Sequence, residues 1–445
     1  MTQQSVEAAP ISSINFRGKA YRAGKRFWHG THRTASPEET LERVRPYFKS
    51  IGLTRLCNIT GLDRIGIPVT LAVRPNSYSI VTSSGKGTTL QAALASAAME
   101  SIELYCAENI RLPEIYLPYT QLASDYQSIS LEDLPLRKNS LFSVHQLEQW
   151  VLGWDLVNQK EVAVPVQAVS MDYRFLYEDL TNLASFDMSS NGLASGNHFL
   201  EAVSSALFEL IERDAISCNM EAAFIGYHKP RVRLETIEYP AVLELLAQFK
   251  AAQVVPILFD CTVNTEVPVY QAYCYDQTGY VTISHGYGAH LDPEVAMIRA
   301  LTEAAQTRAI LISGARDDVF QQYYAASKIT GSEAEVQRLE SHPPTVNARI
   351  RKSQATPTFE GDILVVLEKL QQVGLNQVIV FDLSPPEWEI AVARVIVPGL
   401  EGYFYRNYLP KHRAITFAKS KQSAMAESTK VIYNVDTHLP AGGVF

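Results

Sequence analysis

The sequence predicts a mixed α/β fold with α+β character, and three observations support this. Strand-like and helix-like runs interleave along the 445 residues, a pattern typical of sheets covered by helices. Some neighbouring strands also form hairpin-like pairs, as in VLGWDLVNQKEVAVPVQAVSMDY, so the sheets should not be purely parallel. Hydrophobic content of 47% and charged content of 19% are typical of a globular chain with a sizeable core.

The predicted elements follow one another without an obvious linker. Ser36 and Pro37 mark a helix start. Strand-like runs include IPVTLAVRP, SYSIVTSS, VVPILFDCTV, VPVYQAYCYD, YVTISHGYGA, NQVIVFDLS and IAVARVIVPG, and ILVVLEKLQQVG predicts an amphipathic helix. Residues 315–360 are polar and predict an insertion or an ordering loop. We expect residues 1–28 to be a flexible N-terminal segment and residues 29–445 to be a single domain, because no Pro/Ser/Gly-rich stretch divides them.

Composition excludes several classes of function. The formal net charge is −8 and no block of Lys and Arg stands out, which argues against nucleic acid or an anionic membrane as partner. No apolar run reaches transmembrane length, and the start MTQQSVEAAPISS lacks the features of a signal peptide, so a cytoplasmic protein is expected. The five cysteines contain no CxxC pair and predict reduced thiols, not a zinc site or a disulfide framework.

Three predicted helices, at about 88–108, 198–220 and 292–313, carry one polar pattern at positions that share a helix face. Its members are Ser96, Glu100 and Glu103, then Ser205, Glu209 and Glu212, then Arg299, Glu303 and Gln306. Each helix follows a glycine-containing segment (SSGKGTT, SNGLASGN, SHGYGAHLDP), which predicts a turn before the helix. We therefore expect a repeated unit that presents glutamates from apolar helices.

Paired carboxylates on an apolar helix repel each other, so a cation should neutralise them. One such helix favours a solvated acidic face, but three favour a Mg²⁺ site, since Mg²⁺ prefers oxygen ligands and often bridges to phosphates. Lys86, Arg213 and Arg299 lie close in sequence to the glutamates and suit a nucleotide's phosphates. The GKG segment lacks the spacing of a Walker A loop, and the alternative interpretation of this segment is a plain turn before a helix. Asn197 is either a helix N-cap or a ligand donor.

No nucleophilic catalytic group is evident. GxSxG is absent, and His29, His32, His285 and His290 have no evident triad partners. We expect these histidines to be structural or loop residues, and the catalytic residue stays unknown at this point.

Taken together, six segments resemble the YcaO family. They are GTHRTASPEETL, TRLCNITGLDRIGIPV, GKGTTLQAALASAAMESIE, SNGLASGNHFLEAVSSALFELIERDA, LTEAAQTRAILISGARDD and VIVPGLE, and the resemblance extends from about residue 29 to 400. It implies a dedicated α/β fold that binds ATP through glutamate-held Mg²⁺. It also implies phosphorylation of a backbone amide oxygen in a ribosomally made peptide, which turns that oxygen into a leaving group.

The resemblance assigns residues by motif. The Mg²⁺ ligands would be Glu100, Glu103, Glu209 and Glu212. The ATP contacts would be Arg33, Thr40, Ser96, Asn197, Glu201, Arg213, Arg299 and Glu303, to which Lys86 is added for its place in the GKG segment. Arg33 and Thr40 resemble a Lys and a Ser of the family's N-terminal ATP contacts. Leu104 follows Glu103 where the family often has Arg, so one cation is missing there or supplied elsewhere.

The product and the partners are predicted less specifically. The C-terminus reads DTHLPAGGVF, without the Pro-x-Pro-x-Pro ending typical of azoline-forming members, which favours thioamide formation with a TfuA-type partner and a sulfur source. The alternative is an azoline-forming cyclodehydratase that acts on Cys, Ser or Thr of a precursor peptide, with a leader-peptide-binding partner. A non-catalytic ATP-binding accessory and a metal-dependent carboxylate-amine ligase are further alternatives. Assembly into a homodimer is left open.

Overall fold

The computed structural model describes residues 13–133, 136, 140–174, 185–276, 283–316, 331–402 and 409–435. The helices are α1 (Pro37–Val44), α2 (Leu90–Glu108), α3 (Tyr119–Asp125), α4 (Val166–Val169), α5 (Phe199–Phe224), α6 (Pro240–Ala251), α7 (Pro293–Ser313), α8 (Gly331–Ser341), α9 (Phe359–Gln372) and α10 (His412–Val435). The strands are β1 (Ile14–Phe16), β2 (Lys19–Tyr21), β3 (Arg55–Asn58), β4 (Val69–Val73), β5 (Thr82–Lys86), β6 (Glu114–Pro118), β7 (Leu147–Asp155), β8 (Lys160–Pro165), β9 (Leu193–Gly196), β10 (Arg231–Arg233), β11 (Val255–Asp260), β12 (Val269–Tyr275), β13 (Ile283–Ala289), β14 (Pro344–Asn347), β15 (Ile379–Asp382) and β16 (Ala391–Ile396).

These strands form four sheets. A six-stranded sheet has the order β6-β7-β15-β16-β9 with β8 on the other side of β7, and a five-stranded sheet has the order β13-β12-β11-β10-β14. β3, β4 and β5 form a third sheet, and β1 and β2 a hairpin. The β10–β14 pair is parallel, whereas the predicted hairpin of β7 and β8 is antiparallel. The prediction of a mixed α/β fold is therefore confirmed.

Helix α5 lies at the centre of the main core. It packs against β9 and β16 of the six-stranded sheet and against α9 and α10. Leu207 and Ile211 are fully buried within it, and even Glu212 is only 1% exposed. A helix that is covered on nearly all sides needs apolar residues all round. This burial explains the high apolar content of α5.

The glycine-containing segments before the three Glu helices form strands, as predicted for YVTISHGYGA but in place of the turns predicted for the first two segments. They are β5, β9 and β13, and each lies directly under the helix that follows it. A Cβ atom at Gly85 would lie 2.0 Å from the carbonyl oxygen of Ala93, and one at Gly286 would lie 2.2 Å from the amide nitrogen of Ala304. Glycine on the strand and alanine on the helix therefore let the two backbones touch.

The N-terminal segment also differs from the expectation of a flexible stretch at 1–28. Residues 1–12 lie outside the described part, but residues 14–21 form the β1–β2 hairpin. Ile14 and Phe16 are buried, and the Phe16 ring packs 4.8 Å from the ring of Phe199. The alternation of apolar residues in INF was too short a signal to outweigh the polar composition around it.

Two other predicted regions have mixed outcomes. Within the polar stretch 315–360, α8 and β14 are regular, while residues 317–330 lie outside the described part. The C-terminal sequence DTHLPAGGVF also falls outside it. Among the helices that the structure describes, every one is too short or too polar to cross a membrane.

Candidate functional site

A cavity of about 780 Å³ opens between the three Glu helices and the loop before α1. Every residue predicted for the site lines it, namely Arg33, Thr40, Lys86, Ser96, Glu100, Glu103, Asn197, Glu201, Glu209, Glu212, Arg213, Arg299 and Glu303. These residues lie up to 270 positions apart in the sequence, and the fold brings their side chains to one cavity. Their roles toward a ligand remain proposals.

The first Glu helix, α2, presents two carboxylates that are held by the backbone. Glu100 accepts a hydrogen bond from the amide nitrogen of Ser84 at 3.2 Å. Glu103 accepts bonds from the amide nitrogen and the hydroxyl of Ser195, at 2.8 and 2.7 Å. Burial raises the pKa of Glu100 to about 7 and the pKa of Glu103 to about 8. Without a cation, these groups therefore hold protons near neutral pH.

The second Glu helix, α5, presents two carboxylates with few partners. Burial, with Glu303 adding to it, raises the pKa of Glu212, and its Oε2 has no hydrogen-bond partner among the described residues. The nearest cation is Arg213, whose Nε lies 3.8 Å from Glu212 Oε1. Burial also raises the pKa of Glu209, against the opposing charges of Arg213 and Arg299. A buried carboxylate oxygen without a partner is costly, so α5 is arranged for a ligand that supplies positive charge.

The third Glu helix, α7, is paired with a cation already. Lys86 Nζ lies 2.7 Å from Glu303 Oε2 and 3.1 Å from Gln306 Oε1. Burial alone would raise the pKa of Glu303, but Lys86 and Arg213 outweigh it and lower this pKa. Arg299 is on the same helix, and its buried Nε has no partner among the described residues. This end of the cavity is therefore positively charged and suits phosphate.

The loop before α1 closes another wall of the cavity. Arg33 donates to the hydroxyl of Ser205 at 3.2 Å, and its Nε lies 3.8 Å from Glu201. Glu201 also accepts two bonds from Thr34, from the amide nitrogen at 2.8 Å and from the hydroxyl at 2.6 Å. One oxygen of the Glu201 carboxylate thus holds the loop against α5, which was not predicted because the resemblance assigns Glu201 to ATP and gives Thr34 no role.

Asn197 is not the N-cap of α5, which was one of its two predicted roles. The neighbouring His198 caps the helix, since its Nδ1 accepts from the amide nitrogen of Leu200 at 3.1 Å. Asn197 instead donates from Nδ2 to the Thr40 hydroxyl at 2.9 Å, and its buried Oδ1 has no partner in the described part. The amide is therefore oriented by Thr40 with one acceptor left for a ligand.

The donor set fits magnesium bound to a polyphosphate. It offers carboxylate oxygens, which Mg²⁺ prefers, beside guanidinium and ammonium groups, which bind phosphate. The unpartnered atoms on Glu212, Asn197 and Arg299 are the positions where such a ligand would restore hydrogen bonds. Among the described residues, no three of the cavity's glutamates bring oxygens within 4.8 Å of one another. The carboxylates are thus spread out, which suits ions bridged by phosphates better than one bare ion.

A second cluster of potential metal ligands lies behind the loop. His32, His290 and Asp362 place one ligand atom each within 4.8 Å of the others. The Lys25 ammonium already touches two of them, at 3.2 Å from His32 Nδ1 and 2.5 Å from Asp362 Oδ2, and it also donates to the carbonyl of Thr356 at 2.8 Å. The cluster therefore has its cation, and we interpret it as a structural hub that fixes the loop carrying Arg33.

Two further residues near the cavity were missed or placed differently by sequence reasoning. His285 was expected to be structural, but it lines the cavity beside Tyr287. Arg394 lies on β16 and is 3% exposed, and its positive charge opposes the rise that burial causes in the pKa of Glu209. A signal for Arg394 existed, because it is the single charged residue in the apolar strand run IAVARVIVPG.

Comparison with known proteins places the chain in a family. A sequence profile described as YcaO cyclodehydratase, ATP- and Mg²⁺-binding, matches residues 84–401. An uncharacterized protein of Methanothermobacter thermautotrophicus is 37% identical over 376 residues, covering 82% of this chain and 94% of the relative. A second relative, from Rhizobium leguminosarum bv. trifolii, is called an uncharacterized protein in the tfuA 3' region and is 28% identical over 388 residues, 83% of this chain and 88% of the relative.

Solved structures show the same fold. The YcaO protein of Methanopyrus kandleri, bound with AMPPCP and Mg²⁺, superposes with a TM-score of 0.68 at 23% identity, over 87% of this chain and 100% of that one. A heterocyclase in complex with substrate and cofactor gives 0.74 at 21% identity over 91% of this chain. This chain spans 56% of that heterocyclase's length. The predicted resemblance and the predicted cofactors, ATP and Mg²⁺, are confirmed, and the chain belongs to the YcaO family of ATP-binding, peptide-modifying enzymes.

Proposed function

We propose that this protein uses ATP to phosphorylate the oxygen of a backbone amide in a ribosomally made peptide, and that the product is a thioamide. The observation that carries the proposal is the cavity itself, in which glutamates from three helices face Lys86, Arg213 and Arg299. A polyphosphate with Mg²⁺ matches both charges at once. The neighbourhood of a relative to tfuA supports the thioamide over other products.

Each group of residues then has a proposed role. Glu100, Glu103, Glu209 and Glu212 hold Mg²⁺, and Asn197 orients the nucleotide through the oxygen that Thr40 leaves unpaired. ATP would supply the phosphoryl group that makes the amide oxygen a leaving group. Arg213 and Arg299, which line the same cavity, would offset charge on that phosphoryl group. Lys86, which is paired with Glu303, would be a further cation for a phosphate of the bound nucleotide.

The overall conversion balances without a redox partner. A hydrosulfide group adds to the amide carbon, and the C=O π pair moves to oxygen, which takes the phosphoryl group from ATP. The C–O bond then breaks with release of phosphate, and the C=S bond forms as the sulfur loses its proton. The sulfur comes from a donor that a TfuA-like partner would deliver.

Azoline formation is the second candidate. The matching profile is described as that of a cyclodehydratase, and a superposed structure is a heterocyclase. The same ATP chemistry would then serve a Cys, Ser or Thr side chain of the substrate peptide, with a leader-peptide-binding partner. The two products differ in composition, since a thioamide exchanges oxygen for sulfur whereas an azoline loses water.

Mass spectrometry of the host's peptides tests these candidates. Cells that lack the gene are compared with cells that carry the wild type or Glu209→Gln. Sulfur-for-oxygen exchange that requires Glu209 supports the thioamide, and water loss at Cys, Ser or Thr supports the azoline instead. Identical peptides in all three strains contradict catalysis and favour a non-catalytic ATP-binding accessory.

A further inference from the structure

The third repeat of the polar pattern ends in an amide, where the other two end in a carboxylate. Gln306 on α7 occupies the slot that Glu103 fills on α2 and Glu212 fills on α5. The residue is only 7% exposed, and it lines the cavity. A buried amide needs partners for both its oxygen and its nitrogen, so the partners of Gln306 indicate why glutamine stands at this position.

Both ends of the Gln306 amide are hydrogen-bonded to β5. Lys86 Nζ donates to Oε1 at 3.1 Å, and Nε2 donates to the hydroxyl oxygen of Ser84 at 3.0 Å. An ammonium group can only donate, so the amide oxygen has to face Lys86 and the amide nitrogen has to face Ser84. An ionised glutamate could accept from Lys86 but could not donate to Ser84. Glutamine therefore serves both partners without adding charge.

The two partners of Gln306 lead to opposite kinds of group in the cavity. Lys86 is the cation proposed for phosphate, and its Nζ also lies 2.7 Å from Glu303 Oε2. The amide nitrogen of Ser84 donates to Glu100 Oε2 at 3.2 Å, and Glu100 is a proposed Mg²⁺ ligand. Gln306 thus joins the third repeated unit to the first. Its hydrogen bonds connect the cationic end of the cavity to a carboxylate proposed for metal.

We propose that Gln306 is a positioning residue for phosphate binding, which holds the Lys86 ammonium in the cavity through a neutral acceptor. The inference rests on the proposed function, in which Lys86 binds a phosphate of ATP. An uncharged acceptor orients the ammonium group and leaves its charge available to phosphate. A second carboxylate beside Glu303 would neutralise that charge and repel the nucleotide. The amide of the third repeat therefore favours an anion at this end of the cavity, whereas the carboxylates of the other two repeats favour metal.

Calorimetric titration of AMPPCP with Mg²⁺ into two variants tests the inference. Gln306→Glu keeps the shape of the side chain, and the Ser84 hydroxyl can rotate to donate to the new carboxylate, which Lys86 should keep ionised. We expect AMPPCP to bind to this variant at least about tenfold more weakly, because like charges repel strongly at a buried site. Gln306→Met removes both hydrogen bonds without adding charge and should weaken binding by about 3–10-fold.

Gln271→Glu is the matched control. Gln271 lies on β12, is 4% exposed and accepts a hydrogen bond from the Lys229 ammonium, and neither residue lines the cavity. The substitution places the same new charge beside a lysine and should leave the affinity for AMPPCP unchanged. An equal loss of affinity in this control would show that a buried carboxylate acts through general damage to the fold, and it would overturn the inference.

A double variant shows whether Gln306 acts through Lys86. Gln306→Met should add little to the loss of affinity already caused by Lys86→Met, since both remove the same contact, and fully additive losses would overturn the inference. A folded Gln306→Glu protein that binds AMPPCP as tightly as the wild type also overturns it and leaves the proposed function standing. If Gln306→Glu does not fold, an unchanged affinity in Gln306→Met overturns it instead. Wild-type protein that does not bind AMPPCP contradicts the proposed function itself.

Discussion

At the scale of single residues, the site buries several glutamate side chains in one cavity. Glu100, Glu103, Glu209 and Glu212 all have a pKa above the ordinary value of a glutamate, and burial is the largest cause for each. A group whose pKa is raised by folding binds protons more tightly in the folded protein than in the unfolded chain. Protons and Mg²⁺ therefore compete for the same oxygens.

This competition predicts a dependence on pH. Without Mg²⁺, the free energy of unfolding should fall as pH rises from about 4.5 to about 8, because the folded protein loses protons there that the unfolded chain has already released. With Mg²⁺ and AMPPCP, the rise in unfolding temperature over the ligand-free protein should be larger at about pH 8.5 than at about pH 6. Thermal unfolding at both values measures this. A ligand-induced rise that is larger at the lower pH would contradict the assignment of these carboxylates to metal.

At the scale of elements, the repeated unit is a glycine strand under an alanine-containing Glu helix. β5 with α2, β9 with α5 and β13 with α7 each follow this design. The close approach of strand and helix sets the height of the glutamates above the sheet. The sequence predicted the helices, their shared face and the strand YVTISHGYGA, but the glycines before α2 and α5 were interpreted as turns, because glycine is typical of both contexts.

Gly286→Ala tests this unit. The added Cβ would lie 2.2 Å from the amide nitrogen of Ala304 and 2.5 Å from the Glu303 side chain, so α7 has to move away from β13. We expect a loss of about 1–3 kcal/mol in the free energy of unfolding, as for other overpacked sites, together with weaker ATP binding. Gly61→Ala is the control, since no atom lies within 4 Å of its added Cβ. Urea unfolding of both variants measures the two losses in stability. Equal stability of the two variants would contradict the need for glycine where β13 meets α7.

The hub around Lys25 links the loop that carries Arg33 to the start of α9. Both side chains of the Lys25–Asp362 pair are fully buried, so Lys25→Met leaves a buried carboxylate without its cation. Breaking such a pair typically costs about 3–5 kcal/mol, and we also expect a lower affinity for ATP because the loop loses its anchor. Lys49→Met, at an exposed position, should change neither quantity. A Lys25→Met protein within about 0.5 kcal/mol of the wild type would show that the hub is dispensable.

At the scale of the whole molecule, the sequence predicts the Glu helices better than the strands beneath them. The repeated spacing on apolar helices predicted Glu100, Glu103, Glu209, Glu212 and Glu303, which the fold brings to one cavity, because three repeats of one helix face are a local pattern. Backbone partners such as Ser84 and Ser195 could not be predicted, since their amides come from strands whose pairing depends on tertiary contacts. The hairpin at residues 14–21 was missed for a similar reason, as its burial depends on Phe199 far along the chain.

The central claim is that these glutamates form one Mg²⁺-ATP site, and calorimetric titration tests it most directly. ATP with Mg²⁺ is titrated into the wild type, into Glu209→Gln and into Glu42→Gln, an exposed control on α1. We predict that ATP binds to the wild type and to the control only when Mg²⁺ is present. Binding to Glu209→Gln should be weaker by at least about tenfold, since a metal ligand is lost. Binding that is independent of Mg²⁺, or equal in all three proteins, would contradict the claim.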